Sequence, residues 1–307
     1  MRLRVACTAL TTAAAIMGLA ASASANLIIT PYFDSSVTAP QQASILTAIS
    51  FYETKFLNPV DVKIEFMTSG SGGSSNTVGY LFTSSSVQAA LTSNSLTHPA
   101  NTVLANALPN FTSGNTAPLM KVNSADCRAL GGNCAGTIAG QGSVSQTGLD
   151  AIITVGAGFY GSLSVIEHEI DEVLGIGGPG TILGGQQTFN GLAIISMLDP
   201  YRYSAPGTPS LTLSASATSY LSLNRGVTSV ASFNQSGTGD YGDFTTSPCY
   251  VQSFSTCGNP APISLTSPEG IALQLIGYNA APEPVTLSIL GLGLAGLAGL
   301  TRRRQAA

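Results

Sequence analysis

The chain has 307 residues, only 8% of them charged, and a net charge of −4. Between Asn26 and Ala281 six basic residues face fourteen acidic ones, a balance of −8, so there is no basic stripe of the kind that binding to phosphate backbones requires, and nucleic acid is excluded as a partner. The absence of tryptophan argues against a carbohydrate-binding adhesin built on sugar stacking.

The first residues have the layout of a secretory signal: Arg2 and Arg4, an apolar run from Val5 to Ala20, and the small-residue cleavage site Ala23-Ser24-Ala25. Residues 1–25 are therefore read as a signal peptide and residues 26–281 as one domain, long enough for a sizeable core. Leu27 to Phe33 reads as an opening strand. Gln41 to Phe56 carries Ile45, Ile49, Tyr52 and Phe56 on one helical face and stops at Asn58-Pro59. Val60, Val62, Ile64 and Phe66 then alternate with Asp61, Lys63 and Glu65, the pattern of a half-buried strand. Ser69 to Asn76 reads as a Ser/Gly loop, and Ser84 to Leu108 as short helical pieces around His98, a histidine with no partner motif that is read as surface or capping.

Ala151 to Val155 predicts a strand leading into the densest chemistry of the chain. The stretch Ser164-Val-Ile-Glu-His-Glu-Ile-Asp-Glu-Val-Leu-Gly175 reads as a short helix, with Ser164 and Glu167 as a capping box and Gly175 as a left-handed stop. At about 100° per residue, Ile166, Ile170, Val173 and Leu174 share one face, while His168 and Glu172 project from the other. A solvated charged face is the plainer reading of such a cluster. Scarcity argues against it, because Glu167, His168, Glu169, Asp171 and Glu172 fall within six positions in a chain with two histidines in all. Crowded carboxylates are also more comfortable around a cation. The pattern is H-E-x-x-E, one residue from the H-E-x-x-H of zinc peptidases, with Glu169 set beside the first ligand to act as general base toward a metal-bound water.

From Pro179 to Thr266 the composition turns to Ser, Thr, Gly and Asn, with short β-like runs such as Leu211 to Leu213. Ser267-Pro268-Glu269 caps a last helix, Ile271 to Ile276, ended by Gly277. Cys127 with Cys134, and Cys249 with Cys257, read as two local disulfides of an oxidising compartment. The alternative is a Cys-metal site, although neither pair has the C-x-x-C spacing of zinc modules. Asp240 and Asp243, among glycines, are read either as a plain turn or as oxygen ligands for Ca2+.

The far end, Pro282-Glu283-Pro284, the apolar run Val285 to Leu300 and then Arg302-Arg303-Arg304, resembles the PEP-CTERM sorting signal of Gram-negative bacteria. Its apolar segment, residues 285–300, measures about 24 Å as a helix against a hydrocarbon core of about 30 Å, enough to arrest export with the arginines on the cytoplasmic side. The resemblance implies removal by a membrane protease of the exosortase type, and hence a transient membrane contact followed by an extracellular or cell-surface product. A permanent anchor is the alternative.

The segments His168 to Gly175, Leu198-Asp-Pro-Tyr-Arg-Tyr-Ser-Ala-Pro206 and Gly239-Asp-Tyr-Gly-Asp243 resemble those of exported bacterial metalloproteases with an H-E-x-x-E helix, and the order of elements is similar to that of the metzincin-like zinc metalloproteases. The resemblance implies an α/β (α+β) fold with a twisted mixed sheet, packed helices, an active-site helix and a loop-rich C-terminal half. It implies Zn2+ as cofactor, an extracellular protein or peptide as substrate, His168 as first ligand, Glu169 as general base and Gly175 as the helix-ending glycine. Glu172 replaces the second ligand histidine, and Gly178 stands where the third would be. Asp199 is the candidate to close the site, with Tyr201 or Tyr203 as ligands or oxyanion donors and Met197 as either a methionine turn or a core methionine. The expected function is zinc-dependent peptide hydrolysis; the rival is a noncatalytic matrix or surface protein on a degenerate protease fold.

Overall fold

The computed structural model describes residues 26–111, 119–134, 137–138, 148–178, 188–189, 192–212 and 214–281. The expected signal peptide and C-terminal tail lie outside them, and among the described residues no helix is long and apolar enough to cross a membrane.

The chain opens with β1 (Ile28–Phe33), α1 (Ala39–Lys55) and β2 (Asp61–Thr68), as the periodicities predict. Pro40 pre-sets the first turn of α1, and the Thr38 amide before it donates to Gln41 Oε1 at 2.8 Å. The helix buries Ile45, Ala48, Ile49 and Tyr52, one stripe at helical spacing. In β2 the alternation places Val62, Ile64 and Phe66 fully inside. The expected Ser/Gly loop is a loop only in part. After a turn at positive-φ Gly70 and Gly72, the chain returns as β3 (Gly73–Thr77), antiparallel to β7 (Ala151–Val155). No apolar alternation announced β3, because it is an edge strand that carries small polar residues.

The first sheet has the order β1-β2-β7-β3. Its strands β1, β2 and β7 run parallel. The chain between β3 and β7 supplies β4 (Gly79–Thr83), α2 (Ser84–Thr97), α3 (Thr102–Ala107), β5 (Leu119–Asn123), α4 (Ser124–Ala129) and β6 (Thr137–Ile138). With β8 (Thr188–Phe189) and β9 (Leu192–Ile195), β6, β4 and β5 form a second mixed sheet. A small antiparallel sheet follows, from β10 (Arg202–Ala205), β11 (Thr208–Pro209), β12 (Tyr220–Leu221) and β13 (Ala231–Ser232). Beyond it the chain is mostly irregular up to α6 (Pro268–Leu275), whose first turn is capped by Ser267 Oγ. Leu211 belongs to no strand, and Leu213 lies outside the described residues. The fold is thus a mixed α/β fold.

The central helix α5 (Leu163–Leu174) packs on β3 and β7 and is flanked by α1, α4 and α6. This position explains its composition. Ile166, Ile170, Val173 and Leu174 are buried as expected, but so are Glu167, Glu169, Asp171 and Glu172, so the carboxylates form no solvated face. The N-cap is Ser162, two residues before the expected cap, with Ser164 inside the first turn and no side-chain cap. Both cysteine pairs are disulfides, Cys127–Cys134 and Cys249–Cys257.

Candidate metal centre

His168 and Glu172 stand one helical turn apart on α5, with His168 Nε2 3.3 Å from Glu172 Oε1. Gly175 ends the helix at φ +115°, its amide reaching back to the Asp171 and Glu172 carbonyls, a left-handed stop that favours glycine. Three residues on stands Gly178, at φ +61°. Its backbone amide donates to Asp243 Oδ1 at 2.7 Å. The backbone at Gly178 is thus a tether for a carboxylate from the distant loop.

That close approach needs glycine on both sides. A Cβ on Gly178 would sit 2.8 Å from Glu172 Cδ, and one on Gly242 would sit 2.6 Å from the Gly177 and Gly178 carbonyl oxygens. The result is a group of three donors: Asp243 Oδ2 lies 3.8 Å from His168 Nε2, and one ligand atom from each of His168, Glu172 and Asp243 lies within 4.8 Å of the other two. Among the described residues this is the one such group that can hold a metal ion.

The imidazole is oriented for that task. His168 Nδ1 lies 3.0 Å from the Val251 carbonyl oxygen, which can only accept, so Nδ1 carries a proton and Nε2 is the atom that faces the carboxylates. Gln252 Nε2 donates to Asp243 Oδ1 at 2.9 Å, and Ser75 Oγ, from β3, donates to Glu172 Oε2 at 2.5 Å. Each first-rank donor thus has its own holder.

The electrostatics of the group call for positive charge. Burial, then Glu172, drive the Glu169 pKa up to about 9, and burial raises Asp243 to about 7 against the opposing pull of His168. Burial works against a charged His168, yet Glu172 and Asp243 outweigh it and raise its pKa well above the ordinary value. A cation among these groups would return the carboxyls to their ionised forms. Glu169 Oε2 is buried without a hydrogen-bond partner, as befits a group held ready for another molecule.

Glu169 faces a cleft of about 670 Å3 that it lines together with His168, Phe159, Val165, Tyr250 and Phe254. Its carboxylate fits only because the facing residue of β3 is Gly73, where a Cβ would stand 2.2 Å from Oε1.

Asp199, the expected closing ligand, is not one of the three donors brought together here. It is fully buried, accepts from the Ser196 amide at 2.8 Å, and pairs with Arg202 Nε at 3.1 Å. The Arg202 guanidinium stacks on the Phe233 ring at 3.6 Å and donates to Ser219 Oγ and the Tyr241 carbonyl. The Leu198 to Pro206 block therefore holds the Asp243 loop from behind. Tyr203 donates to the Asn110 carbonyl at 3.2 Å, Tyr201 is buried against Phe111, and Met197 is a buried core residue. Asp243 turns toward His168, and Asp240 is not one of the three grouped donors. Burial and then Glu172 raise Asp240 to about 6, so its charge is felt at the same centre. His98, as expected, ends a helix and is exposed.

The third donor was missed although its segment, Gly239 to Asp243, stood out in the sequence. The signal was the paired glycines Gly178 and Gly242, which only the folded chain brings together. No family model, no curated protein and no solved structure matches this chain.

Proposed function

We propose that the chain is an exported zinc-dependent peptidase, with His168, Glu172 and Asp243 as metal ligands and Glu169 as general base. The observation that carries this reading is the convergence of one imidazole nitrogen and two carboxylates behind a cleft whose wall bears a further carboxylate, Glu169, with its Oε2 buried and without a hydrogen-bond partner. One nitrogen and two oxygens supply three protein ligands, the number a catalytic zinc keeps, with a carboxylate in place of one histidine of the His2Glu set. Calcium takes oxygen ligands, and the imidazole nitrogen disfavours it here. Zinc held there supplies a Lewis acid that polarises a carbonyl and lowers the pKa of water.

The chain's own residues divide the remaining work. Val251 and Gln252 fix His168 and Asp243, Gly73 leaves room for the Glu169 carboxylate, and Glu169 takes a proton from the attacking water and passes it to the leaving amine. The apolar and hydroxyl-lined cleft, whose lining holds no lysine or arginine, suits an extended peptide. The two disulfides and the terminal segments read from the sequence support export, with the tail as substrate of an exosortase-type protease.

The test is hydrolysis of a fluorogenic peptide library by purified protein supplied with zinc. Glu169→Gln is expected to lower kcat/KM by about 100- to 10,000-fold while zinc content stays at the wild-type level. Undiminished hydrolysis by Glu169→Gln would overturn the assignment. A chain that holds zinc and cleaves nothing would favour the rival, a noncatalytic surface protein, for which the burial of Glu169 to 3% exposure is the supporting observation.

A further inference from the structure

The loop between Cys249 and Cys257 does more than close a short ring. Val251 supplies the carbonyl that receives His168 Nδ1–H, and Gln252 supplies the amide that binds Asp243 Oδ1 and lies 3.4 Å from His168 Nε2. These two adjacent residues therefore touch two of the three donors. The same loop pairs with the chain just beyond Asp243, where the Phe244 amide donates to the Gln252 carbonyl at 2.8 Å and the Phe254 amide to the Phe244 carbonyl at 3.0 Å. On its outer side the Gln252 amide is held by Glu269 Oε1 of α6 at 3.2 Å. Tyr250, Val251, Ser253, Phe254, Thr256 and Cys257 also form one wall of the cleft.

A segment of this composition has little to fix it on its own. Between its cysteines it reads Tyr-Val-Gln-Ser-Phe-Ser-Thr, has no regular secondary structure beyond isolated bridges, and gains conformational freedom if opened. The disulfide spans a separation of 8 residues, so it limits that freedom at the place where the imidazole finds its acceptor. Cys127–Cys134 lies at the end of α4 and, among the described residues, makes no hydrogen bond to His168, Glu172 or Asp243.

We propose that the disulfide-closed loop Cys249–Cys257 is the positioning element that sets metal affinity, holding the His168 tautomer through Val251 and the Asp243 carboxylate through Gln252. The proposal rests on the reading of His168, Glu172 and Asp243 as ligands. Opening the loop leaves all three ligands in the chain but frees two of them from their holders, and outer partners of this kind are worth about 10- to 100-fold in metal affinity.

The experiment is a zinc titration against a competing chelator for the wild-type protein, Cys249→Ala/Cys257→Ala and Cys127→Ala/Cys134→Ala. The first pair is expected to weaken zinc binding about 10-fold or more, and the second pair less than 3-fold, so that general loss of a disulfide is separated from loss of this one. Equal affinity in wild type and the first pair overturns the inference while leaving the ligand assignment standing. No zinc binding by the wild-type chain overturns both. If the first pair does not fold, Gln252→Leu in the closed loop replaces it. A 10-fold loss there supports the proposal, and wild-type affinity overturns it.

Discussion

Gly73 controls the candidate base without any chemistry of its own. A methyl group there would meet Glu169 Oε1 at 2.2 Å and Val165 Cγ1 at 2.9 Å, so the carboxylate must leave its place. Gly73→Ala is accordingly expected to lower peptide hydrolysis at least as much as an order of magnitude, with zinc stoichiometry unchanged; parallel zinc analysis and kcat/KM would check this, and normal turnover would show that Glu169 works from another position. Asp199 sits at the opposite extreme. Removing it by Asp199→Ala leaves Arg202 charged and fully buried, which costs about 3–5 kcal/mol. Denaturant unfolding should report that loss. Residue identity alone made His168, Glu169 and Glu172 legible, because a rare imidazole beside carboxylates at helical spacing is a local signal. It could not separate Asp199 from Asp243, since which carboxylate already has a cation, Arg202, is a property of the folded neighbourhood.

At the scale of elements, α5 shows why periodicity was informative and incomplete. The apolar stripe, the glycine stop and the flanking strand β7 were all readable, since each depends on neighbours within a few positions. The burial of the remaining face was not, because it comes from α1 and α6 closing over Glu167 and Asp171, with Glu269 of α6 close enough to be felt by both. On that side Tyr52 Oη lies 2.9 Å from Asp171 Oδ1 and 3.0 Å from the Glu167 carbonyl, and burial raises the Glu167 carboxyl to about 7. Strand β3 escaped notice because Gly, Ser and Asn carry no alternation. Even so, it supplies both Gly73 and Ser75 to the site, and its polar residues suit an edge strand. The loop-rich half was recognised by composition, but its two working parts, Gly239 to Asp243 and the Cys249–Cys257 loop, are positioned by long-range contacts that composition does not encode.

At the scale of the whole molecule, one core runs from Leu27 to Tyr278, and the candidate metal centre is assembled from α5, β3 and loops of the C-terminal half. Building that core buries carboxyls that have no cation, and Asp126 is the clearest. It is fully buried on α4, neither carboxyl oxygen has a hydrogen-bond partner, and burial raises its pKa well above the ordinary 3.8. The folded chain therefore keeps a proton that the unfolded chain releases above about pH 4, and stability falls as pH rises toward the folded pKa. Asp126→Asn has no such proton to keep. Its stability relative to wild type is expected to grow by up to about 1.4 kcal/mol per pH unit above pH 4, as read from unfolding curves between pH 4 and 7. A gap that does not change with pH would contradict the assignment. The centre itself is tested most directly by zinc stoichiometry, measured by elemental analysis on the purified wild-type chain, Asp243→Ala and Asp199→Ala. One zinc per chain is expected in the wild type, with its loss in Asp243→Ala and its retention in folded Asp199→Ala. A zinc-free wild type, or zinc lost from Asp199→Ala and kept by Asp243→Ala, would contradict that expectation.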